Sequence, residues 1–339
     1  MRRTQVIDDL PLDALGVTAL IEAGRPVIVR GAALHWPLVR AGLASADAAA
    51  ELLKQHDAGH PVVAYVGDPA IRGRYHYNSD LTGLNFTTER GTVSAFLDRL
   101  LAMRGAGNAP SLYIGSTDLD TYLPGLRASH DAVLGDDTFT RHSPIASIWI
   151  GNRTVAAAHW DMSNNMAVCV AGRRRFTLFP PDQVSNLYPG PIEPTPAGQI
   201  VSMVDPASPD FARYPRFADA LAAGEVAELE PGDVLIYPAL WWHQVESLSD
   251  FNVLINYWWN AVPAFVDDPM TTLLHGLLSL RERPPHEKAA WRSMFDHYVF
   301  GPSEAASAHL PQAARGPLAP LDPLIARRLR ALIANRINR

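Results

Sequence analysis

His159 and Asp161 stand two positions apart in the run AHWDMSNN (158–165). In a strand, residues i and i+2 point to the same face. A strand over 157–162 therefore projects the imidazole and the carboxylate together and sends Trp160 the other way. Such a pair supplies two metal ligands from one rigid element. The third ligand is expected from His243, in PGDVLIYPALWWHQVESL (231–248). There Pro231-Gly232-Asp233 reads as a turn into a strand, Pro238 ends that strand, and Trp241 and Trp242 bring the histidine into apolar surroundings. A Greek-key sandwich can join residues this far apart in the chain. Two histidines and one carboxylate on one face leave positions open for a bidentate cosubstrate and for dioxygen, the facial arrangement of non-haem Fe(II) oxygenases. Zinc accepts the same donors and, by the Irving–Williams order, binds them more tightly, so the donor set alone does not select iron.

The elements that must hold these residues lie between about 111 and 262. Short β-rich runs dominate there (SLYIGS, ASIWIGN, TVAAAHW, MAVCVAG, RRFTLFP, DVLIYP and FNVLINYWW), separated by Gly, Pro, Asn and Asp. Many short strands with frequent turns predict a barrel or a double-sheet jelly roll. Before them, RPVIVRG (25–31) and HPVVAYVG (60–67) read as buried strands. WPLVRAGLASADAAAELLKQH (36–56) reads as one helix. Residues 92–104 carry Val93, Phe96, Leu97, Leu100 and Leu101 at helical spacing, with Thr92 as N-cap. RYHYNSD (74–80), rich in Tyr and His, reads as an exposed loop, with the lining of a substrate cleft as the alternative. Beyond Pro263 the pattern is helical again: MTTLLHGLLSL is apolar on more than one face, and Trp291, Met294, Phe295 and Tyr298 form a stripe. The predicted organisation is an N-terminal α/β flank (1–110), a jelly-roll core (111–262) and a C-terminal helical region (263–339) that serves as a dimer interface.

Bulk properties narrow the classes. The 339 residues are 47% hydrophobic and 19% charged, an ordinary globular composition. A net charge of -6 gives no basic field for nucleic acid or an anionic membrane. The local exception is 315–339, where six arginines face Asp322 alone. Cys169 is the only cysteine, so an intramolecular disulfide and a multi-cysteine zinc site within one chain are both excluded. No apolar run approaches the roughly 20 residues that span a bilayer. MRRTQVIDDLPLDALG has acids where a secretory apolar region would stand. The expectation is a cytoplasmic protein without nucleic-acid or membrane partners.

Three stretches, HWDMSNNMAVCVAGRRRFTLFPPDQVSNLYPGP (159–191), PGDVLIYPALWWHQVESL (231–248) and NVLINYWWN (252–260), resemble the cupin-like, JmjC-type hydroxylases, as does the opening GRPVIVRGAALHWPL (24–38). The resemblance runs from about residue 24 to 262. It implies a mainly β fold with helical flanks, a double-stranded β-helix (jelly roll) plus a C-terminal helical lobe, and Fe(II)- and 2-oxoglutarate-dependent oxygenation of a protein side chain or a small molecule. By motif, His159, Asp161 and His243 match the iron ligands. Tyr113, Asn165 and Asn256 match residues that hold or line the 2-oxoglutarate pocket, and Trp258 matches an aromatic beside it. Read from the residues alone, Tyr113 is a core tyrosine, Asn165 a turn residue and Asn256 a strand polar group. Two positions depart from the pattern. Arg174 stands where the closest look-alikes carry lysine for the far carboxylate of 2-oxoglutarate; its planar fork can hold a carboxylate bidentately. Ala156 replaces a threonine that donates to the cosubstrate. The resemblance therefore implies Fe(II), 2-oxoglutarate and dioxygen as small-molecule partners and a homodimer as the assembly. The alternatives are a cupin metalloenzyme that does not use 2-oxoglutarate and a non-catalytic binding protein of the same fold.

Overall fold

The computed structural model describes residues 1–196 and 198–337; residues 338–339, the end of the expected C-terminal region, lie outside them. The chain divides into two compact units, Met1–Ala261 and Val262–Arg339.

In the first unit two sheets face each other. The smaller runs in the order β1 (Arg2–Arg3), β12 (Glu225–Leu229), β11 (Arg174–Phe179), β14 (Trp242–Ser247), β9 (Val155–His159) and β5 (Arg74–Tyr75). The larger runs β2 (Gln5–Ile7), β3 (Val27–Val29), β13 (Val234–Tyr237), β10 (Asn164–Ala171), β15 (Asn252–Trp259), β8 (Ile145–Gly151), β7 (Ser111–Asp118), β4 (Val62–Gly67) and β6 (Phe86–Gly91). Strands β8 to β15 divide four and four between the sheets and pair antiparallel, β13-β10-β15-β8 against β12-β11-β14-β9. That is a double-stranded β-helix. Outside these eight, β2-β3 and β7-β4-β6 extend the two ends of the larger sheet, and β1 and β5 flank the smaller one.

Alternation along the strands explains the layering. On β10, Met166, Val168 and Val170 enter a core shared with Trp36, Val39, Leu53 and Leu97. Ala167 and Cys169 face the opposite sheet and meet Phe176, Leu178, Leu235 and Leu254. Burial on both faces is why this strand reads as an unbroken apolar run rather than an alternating one.

The helix expected over 36–56 is two helices, α2 (Pro37–Ala44) and α3 (Ala46–Gln55), which follow α1 (Val17–Glu22). Ser45 between them is extended, at φ −170° and ψ 162°, and its hydroxyl accepts the Ala48 N–H at 3.0 Å. An N-cap serine thus restarts the chain in a new direction. Gly42 lets α2 lie close on β10, since a Cβ there would come within 2.5 Å of the Val170 carbonyl oxygen. The helix expected over 92–104 is α4 (Val93–Ala102), capped by Thr92, which accepts the Ala95 N–H at 3.2 Å.

The segment expected as an exposed loop at 74–80 is buried at Tyr75, His76 and Tyr77. The cause is the short parallel pairing of β5 with β9, which draws the segment onto the sheet edge. The Tyr77 hydroxyl donates to the Pro191 carbonyl at 2.8 Å, and the His76 imidazole Nε2 donates to that of Ser202 at 3.1 Å.

The second unit carries helices at Pro269–Ser279, Pro285–Phe295 and Pro323–Ile337. Leu278 and Phe300 are 80% and 76% exposed, and Trp291, Met294 and Tyr298 of the expected stripe are also exposed. Among the described residues, no helix is long and apolar enough to cross a membrane.

Burial, assisted by the nearby Arg74 cation, holds the His76 imidazole down to about 4. The unfolded chain binds a proton there near pH 6.5, so the folded state gains full stability from this group above that pH and loses it as the pH falls toward 4. The unfolding free energy is expected to decline across that window by up to about 1.4 kcal/mol per pH unit for one such histidine. His76→Gln should flatten the slope in denaturant titrations at stepped pH; an unchanged slope would assign the acid sensitivity elsewhere.

Candidate metal centre

The site is assembled by strand register. His243 on β14 is the antiparallel partner of His159 on β9, and their rings lie 4.3 Å apart between centroids. The strand expected over 157–162 stops at His159, so Asp161 occupies the turn that follows it. Two bonds fix that turn. The Asp161 carbonyl accepts the Leu240 N–H at 2.8 Å, and the Asn164 side chain accepts the Ala239 N–H at 3.0 Å. They tie the turn after β9 to the turn before β14, and hence Asp161 to His243.

One ligand atom from each of His159, Asp161 and His243 lies within 4.8 Å of the others. The Nδ1 atoms of both histidines sit against backbone carbonyls two residues back, Ala157 at 2.8 Å and Trp241 at 2.9 Å. A carbonyl only accepts, so each Nδ1 carries the proton and each Nε2 keeps a free lone pair for a metal. Burial first, and the neighbouring His159 second, hold the His243 imidazole down to about 4. It is therefore neutral at pH 7, and its 3.5 Å approach to Asp161 Oδ2 is not an ion pair. The approach is close to the separation of about 3 Å between neighbouring donors on one ion with bonds near 2.1 Å.

The cluster opens into a cavity of about 390 Å³ between the sheets. Tyr113, Asn165, Asn256 and Trp258 line it together with the three candidate ligands. Arg174 does not. Its side chain is 1% exposed and reaches the cavity wall through Tyr113 and through the Trp149 carbonyl, which accepts from Nη2 at 3.4 Å. Burial raises the Tyr113 phenol, and the guanidinium opposes that rise. Alternation sorts the three arginines of GRRRF. Arg173 and Arg175 turn outward to Glu228, Glu230 and Glu246, while Arg174 turns inward. Among the described residues no carboxylate lies within ion-pair distance of Arg174, and its Nε–H has no acceptor. A buried guanidinium with an unmet Nε–H and no carboxylate partner is able to take up an anion, but it stands behind the cavity wall rather than on it.

Two further residues of the wall are Tyr75, in a segment the sequence reads as a loop or a cleft lining, and Trp149, which the sequence leaves unassigned. Tyr75, hidden in the supposed loop, stacks on Tyr113 at 6.0 Å. Trp149 on β8 was read only as part of a strand. Its signal was alternation, since it faces opposite to Ile148 and Ile150, which belong to the helix-covered core.

Fold and site together define a double-stranded β-helix with a His-Asp-His centre in its mouth. The chain belongs to the cupin-like domain family, whose sequence model matches residues 14–265. It is 34% identical to HSPB1-associated protein 1 of Rattus norvegicus over 153 residues, 44% of this chain and 31% of that protein. It is 28% identical to lysine-specific demethylase JMJ31 of Arabidopsis thaliana over 184 residues, 47% and 33% of the two chains. It is 37% identical to tRNA wybutosine-synthesizing protein 5 of Gallus gallus over 114 residues, 34% and 33%. The aligned part spans about a third of the length of each of these curated relatives.

An unpaired buried charge opposes folding until an anion meets it. Arg174→Met is therefore expected to raise the stability of the ligand-free protein by on the order of 1–3 kcal/mol. The same variant should lose all thermal stabilisation by millimolar 2-oxoglutarate. A less stable variant that is still stabilised by the dicarboxylate would contradict the assignment.

Proposed function

We propose that the chain is an Fe(II)- and 2-oxoglutarate-dependent oxygenase that hydroxylates a C–H bond of a protein side chain or a small molecule. One observation carries the reading: two imidazoles and a carboxylate converge at a cavity whose wall is backed by a buried guanidinium lacking a counterion. Fe(II) and 2-oxoglutarate, when bound, supply the oxidising chemistry, in which dioxygen and 2-oxoglutarate are consumed, succinate and CO2 are released and one oxygen atom enters the substrate.

The chain's own residues prepare that chemistry. His159 and His243 present Nε2, with Nδ1 locked on backbone carbonyls. Arg174 and the Tyr113 hydroxyl receive the far carboxylate of the cosubstrate. Tyr65, Tyr75, Phe86, Trp149 and Trp258 wall the cavity and keep water from the reacting centre. The names of two relatives, a lysine-specific demethylase and a tRNA wybutosine-synthesizing protein, point to different substrates, so kinship does not choose one here.

One observation favours a second reading, a metalloenzyme of this fold that does not use 2-oxoglutarate: Arg174 stands behind the cavity wall rather than on it. Anaerobic addition of 2-oxoglutarate to Fe(II)-loaded protein separates the two. The first reading predicts a visible charge-transfer band and, on admitting air, succinate formation that His243→Ala abolishes. Loss of both signals in metal-loaded wild type leaves the second reading.

A second copy of the chain is the proposed cover for the exposed apolar residues of the C-terminal unit, Leu278, Trp291, Met294 and Phe300 among them. Sedimentation should give twice the mass of one chain, and Trp291→Glu with Met294→Glu should halve it. A wild type that sediments as a single chain would contradict the dimer.

A further inference from the structure

We propose that Trp149 is a positioning residue for the metal centre, its indole N–H setting the polarity of a hydrogen-bonded chain that runs through Asn256 and Asn165 to Asp161. The proposal rests on reading His159, Asp161 and His243 as metal ligands. It concerns what holds the carboxylate in place.

The chain can be read from either end. Trp149 Nε1–H can only donate, and it lies 2.6 Å from the Asn256 side chain, so the Asn256 oxygen must face it. The Asn256 amide nitrogen then points the other way and donates to Asn165 Oδ1 at 3.3 Å. That choice leaves the Asn165 nitrogen to donate to Asp161 Oδ2 at 3.1 Å and to the Ser163 carbonyl at 3.3 Å. At the far end the Asp161 oxygen accepts from Asn165, which agrees with the order the indole imposes. Turning over either amide would set oxygen against oxygen or N–H against N–H. Asn165 and Asn256 are 1% and 4% exposed, so such a mismatch would leave nearly buried polar atoms without partners.

The consequence falls on Asp161. Trp258 Nε1–H gives the same Oδ2 a second bond, at 3.2 Å. Two donors on one oxygen stop the carboxylate from rotating about its own axis, the service that outer partners render to metal ligands. With both amide hydrogens of Asn165 engaged and its oxygen accepting, Asn165 acts on the ligand rather than on the cosubstrate. Asn256 keeps one N–H to offer into the cavity.

The indole is itself held. It meets Trp258 edge-on at 5.6 Å and lies 5.7 Å from the Tyr113 ring. Gly115 makes the room, because a Cβ there would stand 2.9 Å from Trp149 Cζ3 and 3.3 Å from Tyr65. The Trp149 backbone carbonyl accepts from Arg174. Trp149 thus touches both ends of the site, the anion end through its main chain and the metal end through its N–H. A phenylalanine would serve the packing; only the indole serves the hydrogen-bonded chain.

The test is cobalt(II) binding by calorimetry, without cosubstrate, on wild type, Trp149→Phe, Asn165→Ala and the double variant. Asn165→Ala is expected to weaken cobalt binding by about 10–100-fold, and Trp149→Phe by about tenfold. The double variant should be no weaker than Asn165→Ala, because the indole acts only through that amide. Gly115→Ala, which displaces the indole without removing it, should weaken cobalt binding in the same direction. A tryptophan that matters only for packing would lower the thermal midpoint while leaving cobalt affinity unchanged, or its effect would add in full to that of Asn165→Ala. Either result overturns the proposal while the metal centre stands. A folded wild type that takes up no cobalt overturns the metal centre and this proposal together.

Discussion

Pairing of His159 with His243 across β9 and β14 is the constraint on which the site depends. Side chains alternate along a strand, so a slip of one residue would send one imidazole to the outer face of the sheet and dismantle the centre. The register is guarded on both sides. Phe176 and Leu178 on β11 enter the core between the sheets, and their strand pairs with β14 so that Leu178 opposes His243 and Arg174 opposes Ser247. On the far side the turns after β9 and before β14 are bonded to each other. The hydrophobic pattern of the sandwich interior therefore sets the position of the polar groups, although none of those groups favours burial on its own.

That burial carries a cost. A neutral His243, an unpaired Arg174 and two interior asparagines are groups that prefer water. Most of their requirements are met locally: imidazoles on carbonyls, amides on each other, an indole at one end and a carboxylate at the other. Arg174 is the exception, and it is where a ligand gains most from binding. The opposing stabilisation comes from the second core, on the other face of the larger sheet, where α2, α3 and α4 cover Ile148, Val168, Ile236 and Ile255. Placing the apolar bulk outside the sandwich frees its interior for chemistry.

Much of the fold was legible in the sequence. The strands announced themselves as β-branched runs between turns, and Thr92 marked the start of its helix. The break at Ser45 was hidden by the alanines and leucines on either side, which favour helix whichever way the chain turns. At the site, the spacing of His159 and Asp161 spoke for itself, but the strand that seemed to carry both ends at the first. Arg174 was brought out by the family resemblance, and its inward aim agrees with strand alternation opposite Arg173 and Arg175. His243 was picked out by its turn-and-strand context and supported by the family resemblance, because nothing local says which distant strand a histidine will face. For Tyr75 the exposed-loop reading was preferred to a cleft lining because its burial depends on a two-residue pairing with β9. The role of Trp149 was missed because its partner Asn256 comes from another strand, and a hydrogen bond between strands leaves no periodicity to read.

A crystal structure grown without oxygen, with manganese(II) and 2-oxoglutarate, tests the central claim most directly. The account predicts manganese bonded to Nε2 of His159, Nε2 of His243 and the Asp161 carboxylate. It also predicts the cosubstrate chelating that ion, with its far carboxylate hydrogen-bonded to Arg174 and Tyr113. Manganese held by other residues, or a dicarboxylate that leaves the Arg174 guanidinium without an acceptor, would contradict it.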